Sequence, residues 1–353
     1  MQILIVGLGI SGTNIAAEAL NRGIKVKVID QPQENTPSKT AAGMFNPITF
    51  RLPTLTKDAS KYFAVLNSFY SKLEQETGEK FYFPLPYTRI FSSPEEQNNW
   101  IHRCTRESFR KYASSHIQNY TAPISAPYGG AEVYEAGYVE TEKMLKAYRK
   151  KLLNENLLIQ EYFDHNNLGF DSYNVSYLSQ KGSLKADYII FAEGPQIIDN
   201  PLFQFLPFRP VKGEVLTIKI KDFEPQRIIS KGMFLIPKGN QLFYAGATYS
   251  HDNLDTIPSV QAKQKILGKI EKLIDKPVEV VAHRAGIRPA TKDRNPLIGK
   301  HPQHSRILLF NGMGSKAIST TPYLASELLN YLEYGTPINP EVDLNRFAPE
   351  GTK

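Results

Sequence analysis

Cysteine and tryptophan are scarce in this chain: Cys104 and Trp100 are each the single residue of their type among 353. One thiol excludes an internal disulfide and a cysteine-based metal site, and it fits an intracellular reducing compartment. Cys104 itself is expected to be buried and idle. Long apolar runs are missing too. No stretch reaches the ~20 uninterrupted apolar residues of a membrane-spanning helix; the nearest, 3–20, is broken by Gly7, Gly9, Ser11, Gly12 and Asn14. That opening also lacks a basic leader and a small-x-small cleavage site, so a soluble, cytoplasmic protein is expected. No internal repeat or low-complexity tract is found. With 41% hydrophobic and 22% charged residues the composition is globular, and the length suits two domains.

The charge is one-sided, at a formal net +7. Such a surface attracts anions, a dinucleotide or a carboxylate substrate ahead of nucleic acid. Arg103, Arg106, Arg110 and Lys111 fall at helical spacing within 95–115, which suits an exposed face better than a binding stripe. His301 and His304 lie in a proline-containing loop with neither helical spacing nor a third ligand, so no metal site is expected.

What is present is an alternation of strands and helices. Residues 3–6 read as an apolar strand, 7–12 as a glycine-rich turn, 13–22 as a helix stopped by Gly23, and 25–30 as a second strand, together one βαβ unit. Gly7, Gly9 and Gly12 satisfy G-x-G-x-x-G in that context, with Ile10 and Ser11 inside the turn. The first glycine permits the turn, the second lets the backbone approach a pyrophosphate, and the third lets helix and strand pack closely. The helix N-terminus then offers free N–H groups to the phosphates. Asp30, at the end of the second strand, is placed to accept hydrogen bonds from ribose hydroxyls. The motif alone does not choose between NAD and FAD.

Further on, 58–77 reads as a helix with Phe63, Leu66, Phe69, Tyr70 and Leu73 on one side, closed by Gly78. From 81 to 138 short Pro-, Tyr- and Phe-rich pieces surround a helix carrying Trp100, which suits an inserted cap. A helix at 141–154 and a buried strand at 189–192 follow. Residues 211–220, 232–236 and 242–248 read as antiparallel strands with a helix, 261–273, lying on them. The chain closes with a strand at 307–310, a glycine turn at 311–315 and a helix at 321–334. The expected division is a discontinuous α/β Rossmann-type domain, 1–80, 138–207 and 286–353, and an α+β substrate (cap) domain with an antiparallel sheet, 81–137 and 208–285.

Several segments resemble the FAD-dependent D-amino acid oxidase superfamily, in its glycine oxidase and sarcosine oxidase branch. Ser38-Lys39-Thr40-Ala41-Ala42-Gly43 is similar to the family's Ser-x-x-Ala-x-Gly segment, which wraps the cofactor. The strand ending Ala192-Glu193-Gly194 resembles its Ala-x-Gly, Val211-Lys212-Gly213 the strand entering the substrate domain, and Gly246-Ala247-Thr248-Tyr249 the strand lining the pocket. The most specific match is Ala285-Gly286-Ile287-Arg288-Pro289, continuing to Asp293, Pro296 and Gly299; Asn311-Gly312-Met313-Gly314-Ser315-Lys316 completes the set. Only about 81–134 lies outside the resemblance.

The resemblance implies a noncovalently bound FAD, because no late cysteine is available for a thioether to the flavin. It assigns cofactor binding to Gly7, Gly9, Ile10, Ser11, Gly12, Asp30, Ser38, Ala41, Ala42, Gly43, Ala192, Gly194, Arg288, Gly312, Gly314, Ser315, Lys316, Ala317 and Ile318. The implied chemistry is hydride transfer from a C–H beside an amine to flavin N5, on a small amine or amino acid, the imine then being hydrolysed. Arg288 would grip a substrate carboxylate, Tyr249 would bound the pocket, and Lys316 would add positive charge near the flavin. Two positions depart from the family: Ser315 stands where glycine oxidases have arginine, and Met313 where a polar residue is common. Alternatives kept open are a tRNA wobble-base-modifying FAD enzyme, an NAD-dependent dehydrogenase and a flavoprotein without turnover. The electron acceptor and the oligomeric state stay open.

Overall fold

The computed structural model describes residues 1–49 and 53–349, so residues 50–52 and 350–353 of the expected outer domain segments lie outside the described residues. The first unit forms as its pattern predicts: β1 (Gln2–Val6), α1 (Ile10–Asn21) and β2 (Lys25–Ile29). Ile3, Leu4, Ile5 and Val6 are all buried, the continuous apolar run of a parallel strand covered on both faces. α1 begins at Ile10 rather than at residue 13, because Gly9 is already extended as the cap; Gly12 therefore lies in the first helical turn.

β1 and β2 sit inside a six-stranded sheet whose order is Leu158–Ile159, β2, β1, Tyr188–Phe191, Ile307–Asn311 and Leu297–Lys300. All pairings are parallel except the last. On one face the helix Ala317–Tyr334 packs against both α1 and the helix Ala59–Thr77. Buried Asn14 donates to the Tyr70 hydroxyl (3.0 Å) and to Thr321 Oγ1 (2.6 Å), tying the three helices together. The last helix starts at Ala317, before the expected residue 321, and holds Pro322 inside it. Proline has no N–H for the carbonyl four residues back. Here the Tyr70 hydroxyl takes that place, donating to Ile318 O at 2.9 Å.

A seven-stranded sheet faces this unit, in the order Val278–Arg288, Val211–Ile220, Leu242–Gly246, Phe234–Pro237, Ile228–Ser230, Tyr87–Ile90 and Gly130–Val133. It is antiparallel except where Ile228–Ser230 runs alongside Tyr87–Ile90. The helix Val260–Glu271 buries Ile266 and Ile270 against Leu216 and Ile218. Val278–Arg288 was not expected as a strand, nor were Leu297–Lys300 and the meander of Leu168–Phe170, Val175–Ser179 and Gly182–Ala186. Two expected domain boundaries, 137/138 and 285/286, fall inside the strands Gly137–Val139 and Val278–Arg288.

The stretch 95–115 is not one helix. It breaks after Pro94–Cys104 and resumes as the short Glu107–Arg110, with Ser93 capping the first by accepting from Glu96 N. Arg106, Arg110 and Lys111 are exposed. Trp100 is buried against Phe91 and Phe109 and donates from Nε1 to Ser114 O at 2.8 Å. Cys104 lies beside it, buried, its thiol pKa raised by that burial. Among the described residues no helix is long and apolar enough to cross a membrane.

Candidate active site

Between the two sheets lies a cavity of about 1110 Å³, running from the start of α1 to the face of the seven-stranded sheet. Pockets for one small ligand span about 300–1,000 Å³, so this volume suits an elongated ligand with a small second molecule. The glycine turn forms one end. Gly7 adopts φ +95°, and a Cβ there would press on the Ala192 carbonyl oxygen. A Cβ on Gly12 would overlap the Gly7 carbonyl oxygen, so the third glycine is a packing requirement between helix and strand. Ser38 Oγ accepts from Ile10 N at 3.1 Å, closing a second loop over the turn.

Asp30 is anchored from both sides: one oxygen accepts from Leu8 N at 2.8 Å and the other is paired with Arg149. Ala41, Ala42 and Gly43 line the cavity beyond Ser38, and a Cβ on Gly43 would run into the Val139 carbonyl oxygen. Gly194 O accepts from Asn311 Nδ2 at 2.9 Å, joining the two strand-end turns. Gly314, Ser315, Lys316, Ala317 and Ile318 line the cavity at the start of the last helix. Gly12 and Gly312 are not among the lining residues; Gly312, at φ +78°, packs against Thr291 and Leu297.

The other end is marked by Arg288. Its Nη1 donates to Thr248 O at 3.2 Å, and its guanidinium carbon stands 4.4 Å from the centre of the Tyr249 ring. Gly213 makes room for it, since a Cβ at that position would occupy the guanidinium's place. No carboxylate is paired with Arg288 among the described residues, and burial lowers its pKa. A desolvated cation without a counter-charge is unfavourable, and an anion entering the cavity relieves it. Tyr249 is 60% exposed and its hydroxyl donates to Ser315 Oγ at 3.1 Å, so it walls the cavity rather than packing in the sheet.

Lys316 opens onto the cavity, and the surrounding protein lowers its ammonium pKa by desolvation. Met313 is buried at 5% exposure, with the Thr320 hydroxyl 3.9 Å from its sulfur, so it is core as well as wall. Three lining or supporting residues escaped sequence reasoning: Gly213, Arg149 and Glu193. Glu193 hides inside the Ala-x-Gly motif. Enclosure pushes its carboxyl pKa up to about 7, with Asp199 adding to the rise and a hydrogen bond from Asn200 Nδ2 (2.8 Å) opposing it. Among the described residues no cluster of three or more His, Cys, Asp or Glu is placed to hold a metal.

The Glu193 shift has a definite sign. Between the ordinary carboxylate pKa and about 7 the native chain keeps a proton that the unfolded chain has released, so stability falls as pH rises through that window and the loss is complete above it. Glu193→Gln keeps an acceptor for Asn200 and removes the charge. Its melting temperature, by calorimetry on the flavin-free protein, is expected to exceed that of the parent clearly at about pH 8 and only slightly at about pH 5; an equal difference at both would contradict the assignment.

A βαβ unit whose glycine turn opens on a long cavity, with a guanidinium at the far end, is the layout of a dinucleotide-binding protein. Comparison with known proteins makes the class definite: residues 2–331 match the family described as FAD dependent oxidoreductase, and the chain belongs to it. It is 27% identical to a glycine oxidase of Pseudomonas putida over 65% of this chain and 64% of that one. A glycine oxidase of Pseudomonas aeruginosa is 23% identical over 99% of each. A tRNA 5-methylaminomethyl-2-thiouridine biosynthesis bifunctional protein of Marinobacter nauticus is 24% identical over 92% of this chain, which spans about half of that protein, 54%. Among solved structures, a glycine oxidase from Bacillus cereus superposes with a TM-score of 0.79 at 19% identity, covering 96% of both chains. The residues at the turn fit FAD: the cradle admits no side chain at Gly7, and Asp30 faces the cavity beside it. The nicotinamide alternative falls with the family match.

Proposed function

We propose that this FAD-dependent oxidoreductase oxidises the C–N bond of a small amino acid or amine, with the substrate carboxylate held by Arg288. The observation that carries the reading is a half-buried, desolvated guanidinium that opens on the cavity and has no carboxylate partner among the described residues. Bound FAD supplies a two-electron acceptor for the substrate hydride; the product imine then takes up water. The six-stranded unit serves the cofactor and the seven-stranded sheet the substrate.

Each residue has a task. Arg288 offers two parallel N–H donors to a carboxylate, which fixes the reacting carbon in position. Tyr249, stacked on that guanidinium and hydrogen-bonded to Ser315, limits where the rest of the substrate can lie. Lys316 and the N–H groups opening the last helix present positive charge to the cavity, where it would stabilise negative charge gained on reduction. The same desolvation lowers the ammonium pKa of Lys316 below that of a surface lysine.

The test is a visible spectrum followed by anaerobic addition of glycine, sarcosine, proline and a panel of D-amino acids. Bands near ~370 and ~450 nm are expected from the flavin such enzymes carry, with bleaching by at least one carboxylate-bearing amine. Bleaching by none would remove the amine reading while leaving the family intact. A second reading, action on a modified tRNA base, is favoured by the net charge of +7 and the partial match to the tRNA biosynthesis protein. It requires tRNA binding that weakens steeply with salt, and a gel shift insensitive to tRNA dismisses it.

A further inference from the structure

The segment 247–259 joins the strand Leu242–Gly246 to the helix Val260–Glu271 and gives Ala247, Tyr249 and Thr256 to the cavity lining. Residues 251–255, 257 and 258 are all exposed, and Thr256 alone among 251–258 is half-buried. Exposed connecting segments are the mobile parts of a fold unless something fastens them. Here the fastening is one residue of the neighbouring strand Val211–Ile220. Lys212 is buried, and its main chain exchanges two hydrogen bonds with Ser250, donating to Ser250 O at 2.8 Å and accepting from Ser250 N at 3.0 Å. Its ammonium donates to Asp255 Oδ1 and to Ile257 O, each at 2.6 Å. The grip therefore falls on both sides of Thr256, the residue turned inward.

A buried ammonium is costly to strand. Apart from Glu214, 3.9 Å away, the polar partners of the Lys212 ammonium among the described residues all belong to this segment, so the segment cannot lift without leaving that charge desolvated. What the segment carries bears on Arg288. Thr248 O accepts from Arg288 Nη1, and the Tyr249 ring lies on the guanidinium while its hydroxyl reaches Ser315. Thr248 is tied to Glu214 as well, so the freedom that Lys212 removes lies mainly in Tyr249 and beyond. A ring stacked on a guanidinium sets its plane, and a fork can bond two carboxylate oxygens only within that plane. We infer that Lys212 is a positioning residue of the substrate site: by fastening 250–257 it holds Tyr249 in place, and through Tyr249 it fixes the plane in which Arg288 meets a substrate carboxylate. Lys212 itself does not line the cavity. The inference rests on Arg288 as the carboxylate anchor and adds a residue that touches neither substrate nor cofactor.

The experiment is a double-mutant cycle on the FAD-loaded enzyme, by steady-state kinetics on the carboxylate-bearing amine that bleaches the flavin. Lys212→Met keeps the apolar stem and removes the ammonium. It is expected to lower kcat/KM roughly ten- to a hundred-fold, the cost of a misplacement of about 1 Å, with the flavin spectrum unchanged. In an Arg288→Lys background the same substitution is expected to cost less than about twofold, because a lone ammonium donates in any direction and has no plane to be held. Equal losses in both backgrounds would mark Lys212 as a general support of the fold, and no loss in the parent would show that the segment keeps its place without it; either result overturns the inference. Arg288→Lys alone tests the reading beneath. If it leaves kcat/KM untouched, the anchor fails and the inference falls with it, whereas a loss there beside a silent Lys212→Met removes the inference alone. Should Lys212→Met fail to fold, Asp255→Ala, which takes away the exposed partner of the same grip, goes through the same cycle and decides it.

Discussion

Arg288→Leu is expected to lower kcat/KM on every carboxylate-bearing substrate by a factor of roughly 30 to several thousand, with the flavin spectrum unchanged. The range is the ~2–5 kcal/mol lost when one member of a buried hydrogen-bonded charge pair is truncated, at ~1.4 kcal/mol per tenfold. Arg288→Lys keeps the charge but not the fork and is expected to fall between. Amines without a carboxylate should be indifferent to either change. The folded chain should not suffer from the leucine, because the parent guanidinium is half-buried beside Tyr249 and Thr248 with no carboxylate among the described residues to balance it. Removing an uncompensated buried charge leaves stability equal or raised. The combination, activity lost and melting temperature held or increased, separates an anchor from a structural arginine, whose removal lowers both. Steady-state kinetics on the substrate found by flavin bleaching, with thermal melting alongside, reads both; unchanged turnover on every accepted amine would falsify the anchor role.

Why some parts were legible and others not follows from how each signal is carried. β1 announces itself because a strand covered on both faces is an unbroken apolar run, the turn after it bars a side chain at Gly7 and Gly12, and β2 alternates Lys25 and Lys27 with buried Val26 and Val28. Val278–Arg288 was hidden because its apolar residues are interrupted by Glu279, His283 and Arg284, the last two of which find partners only in three dimensions. His283 lies 2.9 Å from Glu214, and Arg284 donates to Glu142 at 2.8 Å. The start of the last helix was missed because Pro322 suits a first helical turn beginning at Thr321; the Tyr70 hydroxyl, donating to the Ile318 carbonyl, lets the helix begin earlier and run through it.

The site divides in the same way. Arg288 could be matched from its motif, but that it lacks a counter-ion is a fact of packing. Gly213 belonged to a recognised strand, yet its reason is the guanidinium that lies where its Cβ would be. Arg149 is 119 residues from Asp30 and sits on a helix rich in lysine and arginine, which by sequence is an exposed basic face. Nothing local distinguishes it from Lys146 or Lys150. Glu193 occupies the free position of a motif defined by its small neighbours, so the pattern matched without marking the carboxylate that enclosure pushes to about pH 7.

Gly12→Ala brings the closest clash of any single methyl group added within the glycine turn. The new Cβ meets the Gly7 carbonyl, and neither backbone can yield easily. Gly7 N donates to Ile29 O at 2.9 Å, Gly7 is held at φ +95°, and the Ala192 carbonyl lies behind it. α1 must therefore lift from β1, carrying its first N–H groups away from where a pyrophosphate would bind. Overpacking of this kind costs ~1–3 kcal/mol or more, so we expect a lower melting temperature and protein that purifies with little or no FAD. Gly23→Ala provides the comparison. Unlike Gly12, Gly23 is left-handed, at φ +73°; it has nothing within 4 Å of its would-be Cβ and lies at the far end of α1. Its penalty is the backbone strain alone, ~1–2 kcal/mol, with flavin content unaffected. Measuring bound FAD per chain and melting temperature on both variants separates a glycine needed for close approach from one needed for its dihedral. A Gly12→Ala protein as yellow as the parent would show that helix and strand have slack at this contact, and that the third glycine of the turn answers to something other than packing.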